Sequence, residues 1–341
     1  MSETTTLTKK DFKSNQDVRW CPGCGDYAIL NAVQATLPEL GIPKEKFAII
    51  SGIGCSSRFP YYMDTYGFHT IHGRAAAFAT GLKLTNPNLS VWMISGDGDS
   101  LSIGGNHFIH LIRRNVNINL LLFNNEIYGL TKGQYSPTSQ EGIVTKSTPY
   151  GSVDRNFSAS SLAMGAESTF FARTLDTDPK YMQEIFLRAA AHNGTSVVEI
   201  LQNCVIFNDK THGWTTERST QADHQLRLEN GKPMIFGADQ NKGIRLNGFK
   251  PEVVTIGEDG ITEADILVHD ETDADIAYIL TKMAAPVFPT PLGVFRAVAG
   301  PVYNEQVQTQ IDAVREKKGE GSLQKLLFSG DTWEVKGETH A

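Results

Sequence analysis

Short apolar runs, each long enough for one buried strand, alternate with helical repeats over the first two hundred residues. Lys46–Ile53, Val91–Ser95, Asn119–Phe123, Glu167–Ala172 and Ser196–Leu201 read as strands. Between them lie helical stretches at Arg74–Leu84, Ile103–Arg114 and Tyr181–His192. A further helix at Gly25–Leu37 carries a stripe of Ala28, Ile29, Ala32, Val33 and Leu37, with Thr36 its one polar member. Runs with little polar alternation are expected of strands covered on both faces. The pattern predicts an α/β chain with a mostly parallel sheet flanked by helices. Ligands of such sheets lie beyond the carboxyl ends of the strands. The polar loops that begin at Gly96 and Asn124 leave from those ends.

The character of the chain changes after about Phe207. Residues 1–210 hold every motif discussed below and are expected to form the cofactor-binding domain. Residues 211–341 are expected to be an acidic C-terminal extension that packs on that domain or on a partner subunit. Nine acidic residues and no Lys or Arg fall between Glu252 and Asp275, which reads as a solvated face. Asn230-Gly231 and Asn247-Gly248 look like hairpin turns. Glu316–Ala341 is polar and expected to be ordered only in part. The formal charge of −7 speaks against a general nucleic-acid binder. No apolar run reaches membrane-spanning length, and Met1–Lys13 has no secretory pattern, so a cytoplasmic protein is expected.

The four cysteines are Cys21, Cys24, Cys55 and Cys204. They are too few for a disulfide framework in a chain of 341 residues. One reading is a Cys-x-x-Cys pair plus two unrelated core thiols. The other is a single four-thiolate metal or iron–sulfur site. His69 and His72 offer a zinc alternative with Cys21 and Cys24, although their spacing is shorter than usual.

Val91–Ser95 runs into Gly96-Asp97-Gly98-Asp99, and Asn119–Phe123 runs into Asn124-Asn125. Glycines let backbone approach a diphosphate. A carboxylate among them needs an intervening cation, so Asp97 suits Mg²⁺, which takes oxygen ligands. The separation of the two motifs is one helix plus one strand, which returns Asn125 to the edge beside Asp97. Together they point to a thiamine diphosphate–Mg²⁺ site.

At these residues the sequence resembles the β subunits of 2-oxoacid:ferredoxin oxidoreductases. The resemblance rests on WCPGCG (Trp20–Gly25), GIGCSS (Gly52–Ser57), HTIHGRA (His69–Ala75), GDGD (Gly96–Asp99), IGGNHFIHLIRRN (Ile103–Asn115) and NNEIYGLTKGQYSPT (Asn124–Thr138). Weaker similarity continues through Cys204–Asn208 and Pro291–Phe295. It implies a thiamine diphosphate-binding fold with a C-terminal extension. It implies Cys21, Cys24, Cys55 and Cys204 as ligands of a [4Fe–4S] cluster. Asp97, Asn125 and the carbonyl of Ile127 match the Mg²⁺ ligands. Ile53, Gly54, Cys55, Ser56, His72, Arg74, Gly98, Asp99, Gly129 and Leu130 match cofactor-contacting positions. Lys132 stands where pyruvate-specific members carry a small or apolar residue, and its cation would pair with the distal carboxylate of 2-oxoglutarate.

The resemblance further implies coenzyme A-dependent oxidative decarboxylation of 2-oxoglutarate to succinyl-CoA and CO₂, or the reverse carboxylation. Electrons would pass through the cluster to ferredoxin. A pyruvate or broad-specificity β subunit is the alternative within the family. A non-redox thiamine decarboxylase half and a zinc-stapled assembly protein are the alternatives outside it. The carboxylate that faces the aminopyrimidine ring comes from a separate α subunit in this family, so an (αβ)₂ assembly is implied. His107 and His110 read as packing or capping residues, and Trp20 as a shield over the cluster. Lys9, Lys10, Lys13 and Arg19 read as a ferredoxin-steering patch or as a basic arm without function.

Overall fold

The computed structural model describes residues 7–337. Eleven strands form two sheets. The main sheet takes β1 (Phe47–Ser51), β2 (Tyr66–His69), β3 (Ser90–Gly96), β4 (Ile118–Asn124), β5 (Phe170–Leu175) and β6 (Thr195–Leu201). Later in the chain come β7 (Gln225–Arg227), β8 (Ile235–Phe236), β9 (Lys242–Asn247), β10 (Lys250–Thr255) and β11 (Thr290–Ala297). The main sheet has the order β2-β1-β3-β4-β6-β5-β11-β7, and β10-β9-β8 form a small antiparallel sheet. The first six strands of that order pair parallel. β11 then adds antiparallel to β5 and parallel to β7.

β1, β4 and β6 are buried at every position. Alternate side chains feed two separate cores. Ala48, Ile50, Met93, Leu120, Leu122 and Val197 face one, with Phe108 and Ile112 of the helix Gly105–Arg114. Ile49, Trp92, Ile94, Leu121, Phe123 and Val198 face the other, which is covered by the helices Asp26–Glu39 and Pro179–Ala191. Thr36 is fully buried on the helix over the second core, with its hydroxyl donated to the Ala32 carbonyl at 2.8 Å, so its own polar group is paired.

Two elements differ from the sequence reading. The strand expected at Glu167–Ala172 runs over Phe170–Leu175 instead. Glu167 has φ 61° and closes the helix Ala159–Gly165, with amides of Glu167 and Ser168 returning to the Met164 and Ala163 carbonyls. The helix expected from Ile103 spans Gly105–Arg114, and a single π-helical turn over Asp99–Ile103, broken at Ser102, precedes it. Such turns occur often at functional sites.

The residues after 210 complete the main sheet through β7 and β11, and build the small sheet and a long helix, Tyr303–Lys318. That helix and a short one at Leu323–Leu327 occupy part of the tail, and residues 338–341 lie outside the described region. Gly248 and Phe249 form the two-residue turn between β9 and β10, with Asn247 paired to Lys250. Asn230 instead accepts the Glu271 amide, in a turn that joins no hairpin. The acidic stretch is largely consumed locally. Glu252 pairs with Arg245, Asp265 closes a capping box with Thr262, and Asp273 caps the helix Ala274–Leu280.

Glu271 is buried and receives both terminal nitrogens of Arg188, at 2.7 and 2.6 Å. Arg188 belongs to a helix of the first half and Glu271 to the second, so this pair ties the two parts of the chain. Arg188→Ala leaves that carboxylate buried and unpaired. We expect a loss of about 2 kcal/mol in chemical denaturation, whereas a cost near zero would show that solvent reaches Glu271.

Candidate active site

The register of the parallel strands brings the loops after β1, β3 and β4 to one edge. β1 and β3 lie side by side, yet the chain leaves β1 towards β2 and β3 towards β4. That divergence is the topological switch point at which open α/β sheets bind ligands. A cavity of about 170 Å³ opens there. Its walls include Ile53, Gly54, Cys55 and Ser56 after β1, and Asp97, Gly98 and Asp99 after β3. Asn125, Ile127, Gly129 and Leu130 after β4 complete it, with His72 from the β2 loop.

Asp99 is the tie between these loops. Its Oδ1 accepts from the amides of Ile53 and Gly73, at 3.1 and 2.7 Å, and from His72 Nδ1 at 2.6 Å. Its Oδ2 accepts from Ser95 Oγ at 2.6 Å. Asp99 therefore lines the cavity as a structural carboxylate. His72, fixed through Nδ1, has Nε2 left for an occupant of the cavity. Tyr128 lies flat against Gly98 and donates its hydroxyl to the Gly98 carbonyl. A Cβ on Gly98 would stand 2.2 Å from the Tyr128 ring, so only glycine allows this contact.

Asp97 is 1% exposed, and burial pushes its carboxyl up to about 6 despite hydroxyls donated by Ser136 and Thr138. No Lys or Arg is among its hydrogen-bond partners. A divalent cation would supply the missing charge. Asn125 and Ile127 line the same cavity as Asp97, and Asn125 Oδ1 accepts the Ile127 amide at 3.2 Å, so residues that offer oxygen donors of the kind Mg²⁺ takes lie together there. Behind this loop the network continues. Thr138 also donates to Asn124 Oδ1, and Asn124 Nδ2 donates to Glu199. Arg173 pairs with Glu199 at 2.7 Å and lies over the Phe295 ring. Burial likewise pushes Glu126 up to about 7, with Thr211 donating to it.

A second cavity, of about 180 Å³, is lined by all four cysteines. Trp20, Leu130, Val205, Ile206 and Phe207 give it an apolar wall. Burial, together with the carboxylate of Asp26, pushes the Cys24 thiol up and the Cys55 thiol up to about 12. Four thiolates would not coexist here without a cationic core between them. Among the described residues, no three His, Cys, Asp or Glu side chains are placed to hold a single metal ion. The four cysteines line one cavity with no histidine beside them, which is the donor set of a thiolate-bound iron–sulfur cluster. A Cβ on Gly129 would lie 3.6 Å from both Cys55 and Cys204 sulfurs, so Gly129 marks the floor of this space. Cys55, Asn125, Gly129 and Leu130 line both cavities and form a common wall.

Several expected residues lie elsewhere. Arg74 turns its guanidinium to the carbonyls of Gly73 and Ile103 and does not line the cavity. Lys132 is exposed, just past the lining residues Leu130 and Thr131. His69 packs on Tyr61 and His72 binds Asp99, so neither joins the cysteines and the zinc alternative is excluded. Trp20 is buried and donates Nε1–H to the Cys55 carbonyl at 2.7 Å, in the shielding position expected of it. Lys9 and Lys10 sit on a short helical turn anchored by the fully buried Phe12, and only Arg19 of the basic group borders the cysteine cavity. Ser136, Thr138, Tyr128 and Gln202 were not singled out by spacing. They join the site through contacts distant in sequence.

The family model for the thiamine pyrophosphate enzyme C-terminal TPP-binding domain matches residues 52–200. The chain is 51% identical over 331 residues to the 2-oxoglutarate oxidoreductase subunit KorB of Mycobacterium tuberculosis, covering 96% of this chain and 88% of that one. It is 44% identical to the β subunit of 2-oxoacid:ferredoxin oxidoreductase 2 of Aeropyrum pernix, over 63% and 70% of the two chains. Among solved structures it matches a 2-oxoglutarate:ferredoxin oxidoreductase from Magnetococcus marinus with 2-oxoglutarate, coenzyme A and succinyl-CoA bound. That match has a TM-score of 0.75 and 33% identity, over 97% of this chain and 98% of the other.

Asp99→Asn places an amide N–H₂ where the carboxylate now accepts four donors. We expect a loss of about 2–3 kcal/mol in denaturant stability and weaker binding of any diphosphate ligand. Unchanged stability would mean that the loops are held by other contacts.

Proposed function

The chain belongs to the β subunits of the 2-oxoacid:ferredoxin oxidoreductases, and on that premise we propose that it serves in a 2-oxoglutarate:ferredoxin oxidoreductase. It is a subunit of a thiamine diphosphate-dependent oxidoreductase. The observation that carries the reading is the wall common to the two cavities, with Cys55 in it. A redox enzyme of this kind needs its electron acceptor beside its carbanion-forming cofactor. A decarboxylase without redox chemistry has no use for four thiols around a space.

The assignments are as follows. Asp97, Asn125 and the Ile127 carbonyl hold Mg²⁺ and, through it, the diphosphate. His72 offers Nε2, and Gly98 and Gly54 let backbone come close. Thiamine diphosphate, once bound, supplies the electron sink for loss of CO₂ from the 2-oxoacid. Cys21, Cys24, Cys55 and Cys204 hold the [4Fe–4S] cluster. Trp20, Ile206 and Phe207 keep water from its flank. Coenzyme A takes the acyl group and ferredoxin the electrons. The complete enzyme is an (αβ)₂ complex with a separate α subunit. A cytoplasmic location goes with this reading, since four cysteines given over to a cluster suit a reducing compartment.

Lys132 is the candidate reader of the distal carboxylate. Three hydrogen bonds close its loop: the amides of Tyr128, Lys132 and Gly133 donate to the carbonyls of Gln134, Gly129 and Tyr128. Lys132 itself has φ 75°, a left-handed conformation that a side chain adopts only where the surroundings impose it. The loop thus fixes the Lys132 backbone one residue past the lining residue Thr131. In the anaerobic complex, 2-oxoglutarate with coenzyme A should reduce ferredoxin. Lys132→Ala should raise KM for 2-oxoglutarate about tenfold, the worth of one charge-assisted hydrogen bond, and leave that for 2-oxobutyrate nearly unchanged. Equal effects on both would move the enzyme to the broad-specificity reading.

A further inference from the structure

We propose that Gln202 raises the reduction potential of the iron–sulfur cluster by donating a hydrogen bond to the sulfur of Cys24. The proposal rests on the cluster reading given above. Gln202 follows β6 directly and is 1% exposed. Its Nε2 lies 3.4 Å from Cys24 Sγ and 2.6 Å from the Asn203 carbonyl. Two acceptors in front of one end of the amide identify that end as the N–H₂ group, since a reversed amide would set oxygen against both. The opposite atom, Oε1, is buried without a partner. The residue thus accepts an orphaned oxygen in order to keep both N–H donors where they are.

The geometry around it is tightly constrained. The Gln202 amide donates to the Asn124 carbonyl at 3.0 Å, which ties it to the strand that carries the Mg²⁺ loop. Gly25 closes the Cys-x-x-Cys turn against it. The Gly25 amide reaches the Asn203 carbonyl, and a Cβ on Gly25 would stand 2.9 Å from Gln202 Cγ and 1.9 Å from Asp176 Oδ2. Asp26, buried with one oxygen unpartnered, and Asp176 are the acidic groups near Cys24, and Arg19 and Arg58 line the same cavity. The side-chain hydrogen bond to Cys24 Sγ comes from Gln202, an uncharged donor.

Adding an electron makes the cluster and its thiolates more negative. A donor on a ligating sulfur stabilises that reduced state and so raises the potential. Gln202 also touches Asn203, whose amide is held by Asp176, so its place does not depend on the occupant of the cavity.

The test is a redox titration of the anaerobic complex, followed by electron paramagnetic resonance, for the wild type, Gln202→Leu and Gln202→Met. Both variants keep bulk and remove the N–H₂ group. Each should retain its iron and show about a tenfold weaker reduction equilibrium, ~59 mV more negative for one electron. A loaded variant with an unchanged or raised potential would overturn the role of Gln202 and leave the cluster reading standing. Loss of iron from both variants would make Gln202 a structural residue, and so also overturn it. A wild-type complex without iron would overturn the cluster reading and Gln202 with it.

Discussion

One buried carboxylate holds the cofactor cavity in shape. Asp99 gathers four donors from the loops after β1 and β2 and from Ser95 of β3, and both loops contribute residues to the cavity wall. The strands alone do not achieve this. Parallel pairing aligns their carboxyl ends, but the loops beyond are free to splay. A buried carboxylate whose two oxygens both accept hydrogen bonds holds them together while its charge stays satisfied. The π-helical turn that begins at Asp99 is the local price of turning that side chain inward.

The remaining acidic and sulfur groups are left in the opposite condition. Burial pushes up Asp97 and the Cys24 and Cys55 thiols, with no lysine or arginine bonded to Asp97 to offset it. On the proposed reading, cations would resolve both problems: a divalent ion at Asp97 and an iron core among the thiols. The two sites meet at Cys55 and Gly129. With both cofactors bound as proposed, the same peptide segment would serve the diphosphate side and the cluster side.

Much of this was legible in the sequence. Uniformly apolar strands announced a covered parallel sheet. Polar residues placed just past Ser95 and Phe123 announced the ligand edge. The four cysteines, scattered over most of the first two hundred residues, do line one cavity. What escaped was set by contacts that spacing does not encode. Ser136 and Thr138 reach Asp97 from about forty residues away. Gln202 looks like an ordinary residue at a strand end. β11 has a strand-like composition, but nothing in it announces that it adds antiparallel to β5 and puts Phe295 beneath Arg173. Arg74, a motif position, lies outside the cavity lining, with Nη1 donated to two backbone carbonyls.

The central claim is that thiamine diphosphate and a [4Fe–4S] cluster sit on either side of one wall in this chain. Its most direct test is the content of iron, acid-labile sulfide, zinc and thiamine diphosphate in the complex purified without oxygen. The account predicts about four irons, about four sulfides and about one thiamine diphosphate for each copy of this chain. Zinc in place of iron, with no labile sulfide, would contradict it.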